Sequence, residues 1–122
     1  MKPDKDCYFI GPTKKVISGF PDEVKLGIGF ALFEAQAGRE ADNVKALKGF
    51  GGRGVLEVME NHDGNTYRAV YTLRFSTAVY VLHAFQKKSK SGIATPKHEM
   101  ELIEKRMKDA EALYKHLSSK GD

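Results

Sequence analysis

Thr66-Tyr67-Arg68-Ala69-Val70-Tyr71-Thr72-Leu73-Arg74-Phe75, then Ser76-Thr77, then Ala78-Val79-Tyr80-Val81-Leu82-His83-Ala84-Phe85, is the stretch that decides the fold. Both long runs are dense in β-branched and aromatic residues, which suit a pleated, half-buried surface. The short polar break predicts a tight turn between antiparallel neighbours, with the more apolar 78–85 strand central. Pairing about that turn sets residues whose numbers sum to 153 or 154 opposite each other. Arg68 then faces Phe85 or Gln86, a residue or two from Lys87.

Upstream, Val55 to Glu60 alternates Val55, Glu57 and Met59 against Leu56, Val58 and Glu60, and Asp63-Gly64 joins it to the 66–75 run as a hairpin. Val44 to Lys48 is a short, mixed strand, and Gly49-Phe50-Gly51-Gly52 is a flexible break. Before these, Gly11 to Ser18 predicts a short helix, and Pro21-Asp22-Glu23 opens a second that Gly38 stops. Val24, Ile28, Ala31 and Ala35 form one face of that second helix. Leu26, Phe30, Phe33 and Ala37 form another, so the pattern predicts a helix covered on two sides. Downstream, Gln86 to Ala94 reads as a polar basic loop. Thr95 then reads as the N-cap and Pro96 as the first position of a last helix. Met100, Ile103, Met107, Ala110, Tyr114 and Leu117 mark its apolar stripe. The expected class is α+β: N-terminal helices packed on a three- or four-stranded antiparallel sheet with a C-terminal helix, one domain over residues 1–122.

Composition narrows the compartment and the partner. Cys7 is the single cysteine, which excludes an internal disulfide and suits a reducing cytosol; it reads as a small, partly buried hydrophobe. The Met1-Lys2-Pro3-Asp4-Lys5-Asp6 start is polar and lacks an apolar signal region. No apolar run approaches the ~20 residues that cross a bilayer. A cytoplasmic protein without membrane association is expected. The net charge of +4 is modest, but from Thr66 to His98 there are six cations (Arg68, Arg74, Lys87, Lys88, Lys90, Lys97) and no Asp or Glu. Such a one-signed stretch is the electrostatic footprint of a phosphate binder.

RNA cleavage without a metal needs a base for the 2′-OH, fixed positive charge at the phosphate and an acid for the leaving oxygen. Arg68, rooted in a strand, can clamp a phosphate together with Lys87 and Lys88 at the mouth of the neighbouring strand. Lysines crowded by other cations can also lose a proton near neutrality. Lys90, Arg53, Lys97 and His98 are candidate RNA contacts, and His98 also offers an acid/base group. The bland alternatives are a solvated lysine loop, a surface arginine, a solvent-facing His98 and a neutral Arg53. His83 reads as a hydrogen-bonded structural histidine and Tyr114 as core. His62, His83, His98 and His116 show no metal-ligand spacing, and Gly49 to Gly54 matches neither a P-loop nor a dinucleotide fingerprint, so no metal and no cofactor are expected. Paired carboxylates near the basic strands are absent from the sequence stretch. A guanidinium buried against a carboxylate, or lying across the sheet from the lysines, would end the nuclease reading.

Tyr67-Arg68, followed by His83-Ala84-Phe85-Gln86-Lys87-Lys88-Ser89-Lys90 and then Thr95-Pro96, resembles the HigB-like "phage-related protein" branch of the RelE/ParE toxin superfamily. Leu47-Lys48-Gly49-Phe50 and Gly54-Val55-Leu56-Glu57-Val58 fit as well. The resemblance runs from about Ile17 to Tyr114. It implies a RelE-like fold and the toxin of a type II toxin–antitoxin system. It further implies metal-independent cleavage of mRNA in the ribosomal decoding site (an mRNA interferase) and a helix-turn-helix antitoxin partner. By position, Arg68 matches the strand arginine at the scissile phosphate, and Lys87 and Lys88 match basic positions closing the last strand. The chain departs from the pattern in having no obvious His or Tyr acid/base after Lys90. The alternatives are a ParE-like, non-enzymatic gyrase-binding toxin and a non-catalytic RNA- or protein-binding module.

Overall fold

The computed structural model describes residues 4–50, 54–75, 77–88 and 95–120. In chain order the elements are β1 (Asp6–Phe9), α1 (Thr13–Ser18), α2 (Asp22–Gln36), β2 (Val44–Ala46), β3 (Val55–His62), β4 (Asn65–Thr72), β5 (Ala78–Lys88) and α3 (Lys97–Lys120). They form one sheet in the order β1-β5-β4-β3-β2. The α+β class stands, but the sheet has five strands and is mixed, because β1 pairs in parallel with β5. Four residues cannot display a convincing alternation, so the sequence offers no signal for β1.

The hairpin between β3 and β4 closes at His62–Asn65 around Asp63 (φ 49°) and Gly64 (φ 79°). Left-handed backbone at both central residues is the demand of the turn that matches strand twist, and Asp-Gly meets it. The β4–β5 connection is wider than the tight turn expected at Ser76-Thr77, since the last ladder pair is Thr72–Tyr80. Ser76 itself lies outside the described residues. Arg68 pairs with Phe85, one of the two partners expected. β5 also runs on to Lys88, in place of a loop from Gln86, because Gln86, Lys87 and Lys88 pair with Tyr67, Thr66 and Asn65.

Between Val70–His83 and Tyr71–Val81 the register slips, leaving Leu82 as an extra residue in β5. This bulge reverses the alternation. Tyr80 and Leu82 face one side, and His83 joins them instead of following Val79 and Val81.

The helices cover opposite faces of the sheet. α2 packs Val24, Ile28, Ala31 and Ala35 onto Val58, Tyr67, Ala69, Tyr71, Val79 and Val81. α3 packs Ile103, Met107 and Ala110 onto Val55, Val70, Tyr80 and Leu82. Of the two apolar faces read in α2, only the first is covered: Leu26, Phe30 and Phe33 are exposed. Gly27 has a steric task, because a Cβ there would run into the Glu60 carboxylate, which Asn43 holds by a hydrogen bond. At the start of α3, the Pro96 carbonyl accepts the amides of Glu99 and Met100, so the helix begins one residue later than expected. Thr95 does not cap it; its hydroxyl bonds a strand carboxylate instead. No helix among the described residues is long and apolar enough to cross a membrane.

Candidate functional site

Arg68 projects from β4 toward α3, and there it is buried. Its side chain is 3% exposed and that of its partner Glu57 is 1% exposed, with Arg68 Nη1 3.3 Å from Glu57 Oε2. Thr95 Oγ1 donates to the same carboxylate oxygen at 3.1 Å. Arg68 Nη1 also lies 3.5 Å from the Thr95 hydroxyl. The expected open phosphate clamp is therefore a closed ion pair that ties the entrance of α3 to β3 and β4. A guanidinium engaged in this way removes Arg68 from the scissile phosphate and ends the nuclease reading built on it. Its physical cause is the β3–β4 ladder, in which Glu57 opposes Val70 and Met59 opposes Arg68, so acid and guanidinium share a face as diagonal neighbours. The Asp63-Gly64 hairpin carries that information, since it sets residues 57 and 70 opposite.

Lys87 lies opposite Thr66, two positions beyond Arg68 on the same face, and is half-buried. Lys88 lies opposite Asn65. The Lys88 side chain, Lys90 and Arg53 fall outside the described residues. Lys97 and His98 are exposed in the first turn of α3.

A second polar chain, unread in the sequence, flanks the same turn. His83 Nε2 lies 2.5 Å from Glu99 Oε1, and Arg106 Nη1 lies 2.8 Å from His83 Nδ1. Arg106 also donates to the Leu82 carbonyl at 3.2 Å. A guanidinium has only donors, so Nδ1 must accept; Nε2 then carries the proton and donates to Glu99. His98 Nε2 sits 3.2 Å from the other Glu99 oxygen, on a side chain that is 74% exposed. The β5 bulge makes this chain possible by turning His83 toward α3. The structural reading of His83 fits these bonds, while Glu99 and Arg106 lie too far along the chain for strand-level reasoning to supply.

Burial pushes the His83 imidazole below its ordinary value near 6.5. The Glu99 carboxylate opposes that shift, and Arg106 and His98 reinforce it. Protonation would also turn an N–H against Arg106. A histidine with a lowered folded-state value contributes stability that is complete above about 6.5. That contribution is lost as pH falls toward the folded-state value. The urea midpoint should therefore drop between pH 7.5 and 5, and His83→Gln should flatten that drop. An equal slope in the variant would remove His83 from the account. Elsewhere, burial pushes the half-buried Cys7 thiol up to about 11, away from reactive thiolate chemistry.

Among the described residues no group of three or more His, Cys, Asp or Glu side chains could hold a metal ion. The arrangement can do two things. A buried set, Glu57–Arg68–Thr95, and a part-buried one, Arg106–His83–Glu99, tie α3 to the sheet. Exposed Lys97 and His98 stand on its first turn.

These features define an α+β protein whose last helix starts on a polar anchor and carries exposed Lys97 and His98. The chain matches the family described as phage-derived Gp49-like proteins (DUF891) over residues 15–108, and it belongs to that family. No curated protein and no solved structure matches it significantly.

Proposed function

We propose that this protein is the toxin of a type II toxin–antitoxin pair and that it inhibits translation by acting on RNA. Membership of the Gp49-like family, which is grouped with toxins related to RelE and HigB, is the observation that carries the first half. The RNA target is supported by the cation-rich surface. Lys45 and Lys48 are exposed near β2, Lys87 is half-buried at the end of β5, and Lys97 is exposed at the start of α3. Lys88, Lys90 and Arg53 are proposed as further contacts on the strength of the sequence. The partner that silences the protein is, in this reading, a helix-turn-helix antitoxin.

Cleavage of mRNA in the ribosomal decoding site is the finer form of the reading, and it runs without Arg68 at the phosphate. Arg68 becomes a positioning residue for the first turn of α3. Lys87 and Lys88 supply positive charge at the scissile phosphate. In this reading His98, exposed and 3.2 Å from Glu99, moves the proton.

Primer extension on mRNA from cells induced without antitoxin tests this. New in-frame cuts on translated messages support cleavage, and His98→Ala, which leaves the core untouched, should then slow cutting by about 100-fold or more. Intact messages with halted translation would confine the protein to RNA binding. Ongoing translation with broken or relaxed DNA would overturn the RNA target in favour of gyrase.

A further inference from the structure

Beside the buried ion pair lies a cleft of about 280 Å³, lined by Lys45, Leu47, Lys48, Glu57, Thr95 and Met100 together with Ala46. Its walls are mostly apolar. Leu47 is buried, and Met100 reaches from α3 to Gly49, where its Cε would meet an added Cβ at 2.9 Å. The floor is polar: Glu57, Thr95 and, through them, Arg68. The rim is cationic, because Lys45 opposes Glu57 in the β2–β3 ladder and both lysines are exposed. The size sits at the low end of ligand pockets and suits one planar ring system.

We propose that this cleft takes a single nucleobase with an amino edge from single-stranded RNA, its N–H group donating to Glu57 and its flanking phosphates meeting Lys45 and Lys48. The charge layout selects this occupant. Arg68 already neutralises Glu57, so an arriving lysine or arginine gains little at the floor and is repelled at the rim. A neutral base on a polyanionic strand gains at both. Glu57 retains accepting capacity at Oε1: Oε2 takes Thr95 at 3.1 Å and Arg68 Nη1 at 3.3 Å, Oε1 takes Arg68 Nη1 at a long 3.5 Å, and a carboxylate has about four lone-pair sites. Met100 and Leu47 bracket the ring as apolar walls. Cytosine and uracil have the same ring size and differ at the edge, where an amino donor in one is a carbonyl acceptor in the other. A carboxylate floor accepts from the cytosine amino group, whereas uracil offers it only an N3–H flanked by two carbonyl oxygens that the carboxylate disfavours.

The inference rests on the RNA reading, and the experiment separates the two. Four-residue 2′-O-methyl oligocytidine and oligouridine, which resist cleavage, are titrated into the intact protein. Oligocytidine should bind about tenfold more tightly, the span expected for one base-edge hydrogen-bonded pair. It should also shift the Met100 methyl resonance, which oligouridine should leave in place. Met100→Trp, which fills the cleft, should erase the preference. Lys45→Ala with Lys48→Ala should weaken both oligomers alike and lower the salt slope by roughly 0.7 for each phosphate that is no longer neutralised. Equal binding of the two oligomers overturns the base site and leaves the RNA reading standing. Binding of neither overturns both. An arginine-containing peptide that moves the Met100 methyl where oligocytidine does not would assign the cleft to a protein partner and overturn the proposal.

Discussion

Glu57→Ala should destabilise the protein by about 3–5 kcal/mol, the cost of leaving one member of a buried ion pair without its partner. Arg68 is 3% exposed, so water cannot replace the lost carboxylate. Thr95 would lose its acceptor in the same step, loosening the start of α3. Against a total stability of roughly 5–15 kcal/mol, such a loss brings many molecules to the edge of unfolding. Arg68→Ala should behave similarly, for the mirrored reason. Replacing both by apolar residues of like volume, Glu57→Leu with Arg68→Met, should recover much of the loss, because no charge then remains buried. Urea unfolding of the three variants checks this. Single variants within about 1 kcal/mol of the parent would show that the pair does not carry the helix entrance.

This changes how toxicity data should be read. Growth restored by Arg68→Ala would follow from a weakened fold as readily as from a missing phosphate contact. The substitution diagnoses chemistry only where circular dichroism and the urea midpoint show the fold intact. His98→Ala and the lysine variants act on exposed or partly exposed side chains and are cleaner probes.

Tyr80→Ala should cost about 3–5 kcal/mol, the usual range for deleting a large buried ring, and lower Tm by roughly 10–20 °C. Tyr80 is fully buried in β5, between its neighbours β1 and β4. Its ring stacks on Tyr8 at 5.4 Å and meets Phe75 edge-on at 5.7 Å, and Phe75 in turn stacks on Tyr114 of α3 at 5.1 Å. Deleting it breaks the bridge between β1, the β4–β5 connection and the last helix. Calorimetry showing a shift under about 4 °C would mean that these rings repack around the gap and that the bridge is dispensable.

Much of the framework was legible in local pattern. The Asp63-Gly64 turn, the β-branched runs of β4 and β5, and the Ile103-Met107-Ala110 stripe each need only neighbouring residues to specify them. A hairpin register, an amphipathic face and a turn's left-handed backbone are short-range consequences of side-chain chemistry. The pairing of Arg68 with Phe85 followed from the same kind of counting.

The site was less legible, and charge shows why. The segment from Thr66 to His98 holds no acid along the chain, yet in space it is flanked by two. Sheet pairing brings Glu57 to Arg68, and α3 folds Glu99 back onto His83. A window of sequence measures charge along a line, whereas a guanidinium responds to everything within a few ångströms.

The amino-acid order by itself determined β2 to β5, the hairpin, the last helix and the acid-free run of cations, because each depends on residues within reach of one another along the chain. Tertiary structure alone decided the parallel seat of β1, the bulge that turns His83 toward α3, the bare Leu26-Phe30-Phe33 face of α2 and the burial of Arg68 against Glu57. Each of these depends on which distant surface arrives opposite, and burial then sets whether a charged group meets water, a ligand or a fixed partner.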